Sequence, residues 1–466
     1  VRSTADQLEE VLVDWRSDSG PLYRQLANGI ESLARAGALE YGARLPSERD
    51  LAARLHVSRN TVKAAYQLLR DKGWLEVRRG AAPHLRHESR VTANAHIAGW
   101  LGEFFRQSGT RGVDLSCSAP GPAPVVERAL RDPESYVGPI HLQGTGYSPD
   151  GEPVLREAVA DRLRADGLGT ADPERVVVTN GGQHAHSLLV GALASRSRPV
   201  AVEDLTFPGI FDVVARVHAP TVALPFTDGR LDVAAAATVI RASRPAMALI
   251  TTYQHPTGTR LEPDEAARLA AAARDAGTVL IENRCAADLA LEGDPPPPLA
   301  ALTDAGAVAT IGSMTKVFWA GLRIGWIHTN PTLAAHLRRR RVALDFGSSP
   351  LAQTLAAALL RDAFEQTARW RRERLAAAVD ATLDEIARAA PGWEVERPAG
   401  GPGVWIRLPG LDADRFAARA EAVGMPLVPG TSFAAREGAG AHHVRVTCHA
   451  EPEEMRRAIR TLAAEA

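Results

Sequence analysis

Short β-branched runs recur beyond Asp114, and their spacing is the tightest constraint on how this chain can fold. Val176 to Thr179, Val200 to Glu203, Ala246 to Thr251, Val279 to Glu282 and Val308 to Ile311 are apolar almost throughout, as strands covered on both faces must be. Amphipathic segments such as Pro263 to Ala276 separate them. The alternation predicts an α/β domain with a mostly parallel sheet and helices on both faces. In such sheets ligands gather at the carboxyl ends of the strands.

Composition narrows the class. With 466 residues, 45% hydrophobic and 23% charged, the chain matches an ordinary soluble globular protein and is long enough for several cores. The start, Val1 to Glu10, has no apolar core or cleavage-like site, and no run of about 18 uncharged apolar residues follows. A cytoplasmic location and no membrane partner are the expectation. Cys117, Cys285 and Cys448 are far apart and form no CxxC pair, so neither a disulfide framework nor a metal site is expected.

The net charge of −1 conceals a basic stretch. Between Glu40 and Arg90 there are eleven Lys or Arg against six Asp or Glu. Leu22, Leu26, Ile30 and Leu33 recur at helical spacing, with Gly37 as a stop. Ser47, with Asp50 three residues on, caps a second short helix running to Leu55. Ser58 caps a third, whose buried stripe is Val62, Ala65, Tyr66 and Leu69. Arg59, Asn60, Thr61 and Lys63 then fall in its first turns, the part of a recognition helix that enters the major groove. Trp74 to Val77 alternates as a strand, and Arg78-Arg79-Gly80 makes a basic turn. A small helical bundle with incidental surface arginines is the bland alternative.

The run Leu45-Pro46-Ser47-Glu48-Arg49, followed by Val57-Ser58-Arg59-Asn60-Thr61-Val62, resembles the winged helix-turn-helix of the GntR family of bacterial regulators over residues 15–80. The resemblance implies a double-stranded DNA operator contacted by Arg49, Ser58, Arg59, Asn60, Thr61, Lys63, Arg79 and Gly80. Many members carry Gly-x-Gly-Thr at the wing tip, whereas Gly80-Ala81-Ala82-Pro83 stands here. Residues 81–111, with Pro83, His84 and His87, are expected to form a linker.

In the large domain, residues 112–466, Gly181-Gly182-Gln183 follows a strand and opens a helix, so its backbone N–H groups are placed to hold a phosphate. Ile311-Gly312-Ser313-Met314-Thr315-Lys316, with Gly321-Leu322-Arg323-Ile324-Gly325 after it, resembles the lysine segment of fold-type I aminotransferases, which use pyridoxal phosphate. That likeness implies a Schiff base on Lys316, phosphate contacts from Ser313 and Arg323, and a phosphate contact from Tyr147 to the partner subunit of a homodimer. It further implies a smaller C-terminal α+β part, ring stacking by Phe207 and a substrate carboxylate on Arg445. A GntR-type head on such a body resembles the MocR subfamily.

Three departures fall on the catalytic apparatus. The aspartate that faces the pyridine nitrogen in the family is Asn283 here, which supplies no negative charge to keep the ring an electron sink. Glu282 is no substitute, because adjacent strand residues point to opposite faces. The tyrosine expected two or three residues on is replaced by Cys285 and Ala286, and the usual Asn-Pro-Thr-Gly reads His255-Pro256-Thr257-Gly258. His255 can still donate to the ring hydroxyl. Exchange of amines on the cofactor needs Lys316 and little ring activation, whereas transamination needs the electron sink. The chain therefore reads as a regulator that senses a small effector, an amine or amino acid, with little or no transamination. A pocket that binds a different effector without the cofactor, and an active aminotransferase, are the alternatives.

Overall fold

The computed structural model describes residues 21–35, 45–71, 75–76, 83–85, 113–134, 145–303, 308–436 and 438–466. The chain divides into two compact units, Val1–Gly102 and Glu103–Ala466.

Among the described residues, the first unit holds three clustered helices and a pair of short antiparallel strands. Helices α1 (Leu22–Arg35), α2 (Glu48–Arg54) and α3 (Arg59–Asp71) bury Leu26, Ile30, Leu51, Val62, Ala65, Tyr66 and Leu69 in one core, as their helical spacing predicts, whereas Leu22, at the very start of α1, is exposed and the side chain of Leu33 lies outside the described residues. Both caps form. The Ser47 hydroxyl accepts the Asp50 N–H at 3.1 Å and donates to its carboxylate at 3.0 Å, while Ser58 accepts the Thr61 N–H at 3.1 Å. The Tyr66 hydroxyl donates to the Pro46 carbonyl at 2.9 Å, tying α3 to the segment before α2. A helix of only seven residues depends heavily on its cap, and Ser47→Ala is expected to cost about 1 kcal/mol. Thermal unfolding of the isolated mutation in the full chain, followed by circular dichroism, checks this.

Strand β1 (Leu75–Glu76) pairs antiparallel with β2 (His84–Leu85), Leu75 opposite Leu85 and Glu76 opposite His84. His84, expected in the linker, is therefore a strand residue. Its partner strand lies only a turn away, and two-residue strands carry too little alternation to be read from sequence. Arg79 and Gly80, His87 and the remainder of the expected linker lie outside the described residues.

The second unit is built on a seven-stranded sheet. In chain order its elements include β3 (Val176–Thr179), α4 (Gly182–Leu193), β4 (Val200–Glu203), β5 (Thr221–Leu224), β6 (Met247–Thr251), α5 (Pro263–Ala276), β7 (Val279–Asn283), β8 (Val308–Ser313), β9 (Gly325–His328), α6 (Pro331–Leu344) and α7 (Phe364–Ala389). The strand order is β3-β9-β8-β7-β6-β4-β5. Only β9 is antiparallel to its neighbours; the other pairs run parallel. Val177, Leu249, Ile281 and Ile311 pack on one face with α4 and α6, and Val178, Ile250, Leu280 and Val308 on the other with α5. Alternate residues of each strand thus enter different cores, which is why the runs are apolar throughout.

A second, smaller sheet of β10 (Glu394–Val395), β11 (Gly403–Arg407), β12 (Val428–Pro429) and β13 (His443–Thr447) is antiparallel in the order β10-β11-β13-β12. Leu375 and Val379 of α7 and Met455 and Ile459 of α8 (Pro452–Ala464) close its core. Among the described residues no helix is long and apolar enough to cross a membrane.

Candidate functional site

Lys316 lies three residues beyond the end of β8. Its Nζ donates to the Ser118 carbonyl at 2.6 Å and to the Ser118 hydroxyl at 2.9 Å. His449 Nε2 lies 2.9 Å from the same carbonyl. Burial, assisted by the Arg445 guanidinium, lowers the Lys316 amine to about 8, because an apolar surrounding and a nearby cation both disfavour an ammonium. A cavity of about 260 Å³ lined by Lys316, Arg371, Arg374 and His449 borders it, so the amine is buried yet reachable.

Facing Lys316 across the sheet's carboxyl edge is a cradle of bare backbone. Gly181 adopts φ +85°, closed to other residues without strain, and opens α4. A Cβ on Gly182 would come within 2.7 Å of the Cys285 sulfur. The N–H groups of a helix start are thereby left accessible to an anion. Arg323, itself at φ +53°, is exposed and donates to the Asn180 carbonyl at 2.6 Å. The Ser313 hydroxyl pairs with that of Thr315 at 2.9 Å. Asn180 anchors the cradle from behind: its side chain donates to Asp345 at 2.9 Å and accepts from Ser348 at 2.6 Å. Fully buried Arg341 pairs with Asp345 at 2.8 Å. Gln183 turns away, donating to the Gly209 carbonyl at 2.8 Å.

Aromatic rings follow the carboxyl ends of β4 and β6. Phe207 lies between His186, stacked with centroids 5.7 Å apart, and His255, edge-on at 6.2 Å. His255 in turn packs on Phe433 at 5.2 Å. Burial first, then Arg445 and Lys316, hold the His255 pKa well below its ordinary value, so the ring is neutral. Arg445, only 2% exposed, sits over the Phe433 ring at 5.7 Å and donates to the Ser116 carbonyl. Its buried Nε has no partner among the described residues. A buried guanidinium N–H without an acceptor costs free energy, and an incoming carboxylate removes that cost.

Asn283 ends β7 on the face of Ile281, beside α4. Glu282 points the opposite way, as its strand position requires, and is fully engaged: it accepts from the Thr252 hydroxyl at 3.1 Å, Arg284 at 3.3 Å and the Leu299 N–H at 2.9 Å. Tyr147 is 69% exposed, its ring 5.1 Å from that of Phe346, which is 55% exposed.

Pyridoxal phosphate fits this donor set. The orphaned Arg445 Nε, the bare Gly181-Gly182 turn, the exposed guanidinium of Arg323, the face of Phe207 and a buried amine of low basicity are the complements of its groups and of an amino-acid carboxylate. Only the neutral amine attacks an aldehyde, so uptake of pyridoxal phosphate is expected to rise about tenfold per pH unit below 8 and to level above it, rather than near 10.5 as for an ordinary lysine. Stopped-flow absorbance across pH checks the inflection.

In the first unit Arg49, Ser58, Arg59, Asn60 and Lys63 are exposed and Thr61 is half-buried, and all but Arg49 project from the start of α3. Arg59 pairs with Glu48 at 3.3 Å.

Head and body together define a class: a helix-turn-helix DNA-binding unit joined to an aminotransferase-shaped one. The profile described as "Aminotransferase class I and II" matches residues 140–462, and that described as "Bacterial regulatory proteins, gntR family" matches residues 22–84. The chain belongs to the class I and II aminotransferase family and is a GntR-type DNA-binding regulator fused to an aminotransferase-like domain. It is 26% identical over 428 residues to the uncharacterized HTH-type transcriptional regulator YisV of Bacillus subtilis, covering 86% of this chain and 87% of that one. It is 28% identical to the probable rhizopine catabolism regulatory protein MocR of Rhizobium meliloti, covering 71% and 69%. Among solved structures, α-aminoadipate aminotransferase LysN of Thermus thermophilus superposes with a TM-score of 0.69 at 25% identity, covering 78% of this chain and 94% of that one.

Ser118, which holds Lys316, and His449, which meets the same Ser118 carbonyl, were not foreseen. Ser118 and His449 approach from positions 198 and 133 residues away, and no local spacing announces either. One compositional signal does single out Lys316. The chain has three lysines among 54 basic residues, Lys63, Lys72 and Lys316. Every other fixed cation of the large domain is arginine, which cannot lose its proton in a protein.

Proposed function

We propose that this chain is an effector-responsive transcription regulator acting in the cytoplasm, where its operator lies. The winged helix-turn-helix, residues 15–80, binds double-stranded DNA through Arg49, Ser58, Arg59, Asn60, Thr61, Lys63, Arg79 and Gly80. The large domain, residues 112–466, senses an amine or amino acid through pyridoxal phosphate on Lys316. When bound, pyridoxal phosphate supplies an aldehyde on which one amine can be exchanged for another.

Each wall of the pocket has a part in this. Gly181, Gly182, Gln183, Ser313 and Arg323 hold the phosphate, with Tyr147 reaching across from a second subunit. Phe207 stacks on the ring, His255 donates to the ring hydroxyl, and Asn283 meets the ring nitrogen. Arg445 orients the carboxylate of an incoming amino acid, and Ser118 takes the proton-bearing amine of Lys316 when it is displaced. The observation that carries the proposal is the retention of a buried, weakly basic Lys316 beside an amide, not a carboxylate, at Asn283: amine exchange keeps what it needs and transamination does not.

Tyr147, Leu344, Phe346 and Leu351 leave large apolar side chains exposed near the cradle, which supports a homodimer burying them. Paired heads then match a repeated or palindromic operator. An effector changes transcription only through unequal affinity for two arrangements of the heads. The test is an operator-binding titration of the cofactor-loaded protein against a panel of amino acids and amines. The expected result is a change in operator affinity that tracks a change in visible absorbance, with no exchange of the α-proton. Robust α-proton exchange, or spectral change with constant operator affinity, contradicts the proposal.

A further inference from the structure

The amide of Asn283 has a fixed sense. Its Oδ1 accepts the Cys285 backbone N–H at 3.1 Å. A backbone N–H can only donate, so its partner must be the amide oxygen, and the NH₂ is left for the opposite edge. The residue cannot readily turn over. Its own carbonyl accepts the Thr252 N–H at 3.1 Å, the next N–H reaches the Ile311 carbonyl at 2.8 Å, and Asn283 is only 7% exposed. Flipping the amide would strand the Cys285 N–H against an NH₂.

The charges around the pocket act in the same direction. Lys316, Arg445 and the cradle's Arg323 are its cations, with Arg371 and Arg374 on the cavity that adjoins Lys316. His186 and His255 are held neutral by burial, and the Cys285 thiol, pushed up to about 12, stays protonated. Most nearby carboxylates are committed elsewhere: Asp114 to Ser116 and Cys117, Glu203 to Thr251, Asp204 to Arg436, Asp345 to Arg341 and Asn180, and Glu282 to the far side of the sheet; Asp288, which burial raises to about 6, is the carboxylate that acts on the Cys285 thiol.

We infer that Asn283, locked by the Cys285 N–H, is a dedicated hydrogen-bond donor that selects a bound pyridine ring with an unprotonated, acceptor nitrogen. Cys285 acts here through its backbone, as a positioning residue. The site thereby does more than lack a countercharge for a protonated ring; it presents N–H where such a ring would need an acceptor. This rests on the reading that pyridoxal phosphate binds at Lys316, and it specifies the protonation state in which the cofactor is kept.

The test is nitrogen-15 NMR of the full chain loaded with pyridoxal phosphate labelled at the ring nitrogen, with bound cofactor counted by mass. The expected wild-type signal is that of an unprotonated pyridine nitrogen, unmoved from mildly acidic to mildly alkaline buffer. Asn283→Asp is expected to shift it upfield to the protonated position. A retained cofactor with a protonated nitrogen in the wild type overturns this inference and leaves the cofactor reading standing. Failure of the wild type to retain the labelled cofactor overturns both.

Discussion

Lys316→Ala is expected to abolish stable retention of pyridoxal phosphate, with complete loss of the visible absorbance band after dialysis. The chain offers no neighbouring amine to take over, because its other lysines, Lys63 and Lys72, lie in the first unit. The fold should tolerate the change. The amine is held near 8 in the native state against an ordinary value of 10.5, so burial opposes its charged form, and removing it relieves that cost. The sign for the wild type follows: the lysine's folded pKa is depressed, so its penalty is present below about pH 8 and fades as pH rises toward 10.5. Lys316→Ala should therefore retain wild-type operator binding without effector while losing every response to an amine. Absorbance and gel-shift measurements on one preparation check both halves. A variant that keeps the band or the response contradicts the role assigned to Lys316.

Arg59→Ala is expected to weaken specific operator binding by about 1–3 kcal/mol, roughly five- to 150-fold, and to leave the large domain's absorbance unchanged. Arg59 opens α3 with its side chain 72% exposed, and its pairing with Glu48 at 3.3 Å is a surface ion pair. Such pairs contribute little and are readily exchanged for a base or phosphate. Fluorescence anisotropy with operator and scrambled duplexes at fixed salt measures the difference. Equal losses on both duplexes would assign Arg59 to the phosphate backbone instead of the bases.

Local order was legible in the sequence where one residue type answers one local demand. Ser47 and Ser58 cap the helices expected of them, and the five apolar runs are five of the seven strands of the main sheet. Lys316, Arg323 and the Gly181-Gly182 turn come to one edge of that sheet because each directly follows or adjoins a strand. What was not legible depends on long-range pairing. Strand β9, Gly-Trp-Ile-His, has little β-branched character and is fixed by sitting between β3 and β8. The bond from Arg445 to the Ser116 carbonyl and the hold of Ser118 on Lys316 join elements far apart in the chain. Asn283 was visible as a missing charge, but its sense as a donor rests on the Cys285 backbone N–H, which only the turn after β7 supplies.

Asn180 joins the Gly181-Gly182 cradle to the Asp345–Ser348 turn that carries exposed Phe346, so a group bound in the cradle and that turn share one hydrogen-bond network.

The most direct test of the sensing role is the site of covalent attachment. The protein is incubated with pyridoxal phosphate, reduced with borohydride, and mapped by peptide mass spectrometry across its three lysines. The predicted result is one pyridoxyl phosphate per chain, on the peptide containing Lys316. An unmodified chain, or label confined to Lys63 or Lys72, would contradict it.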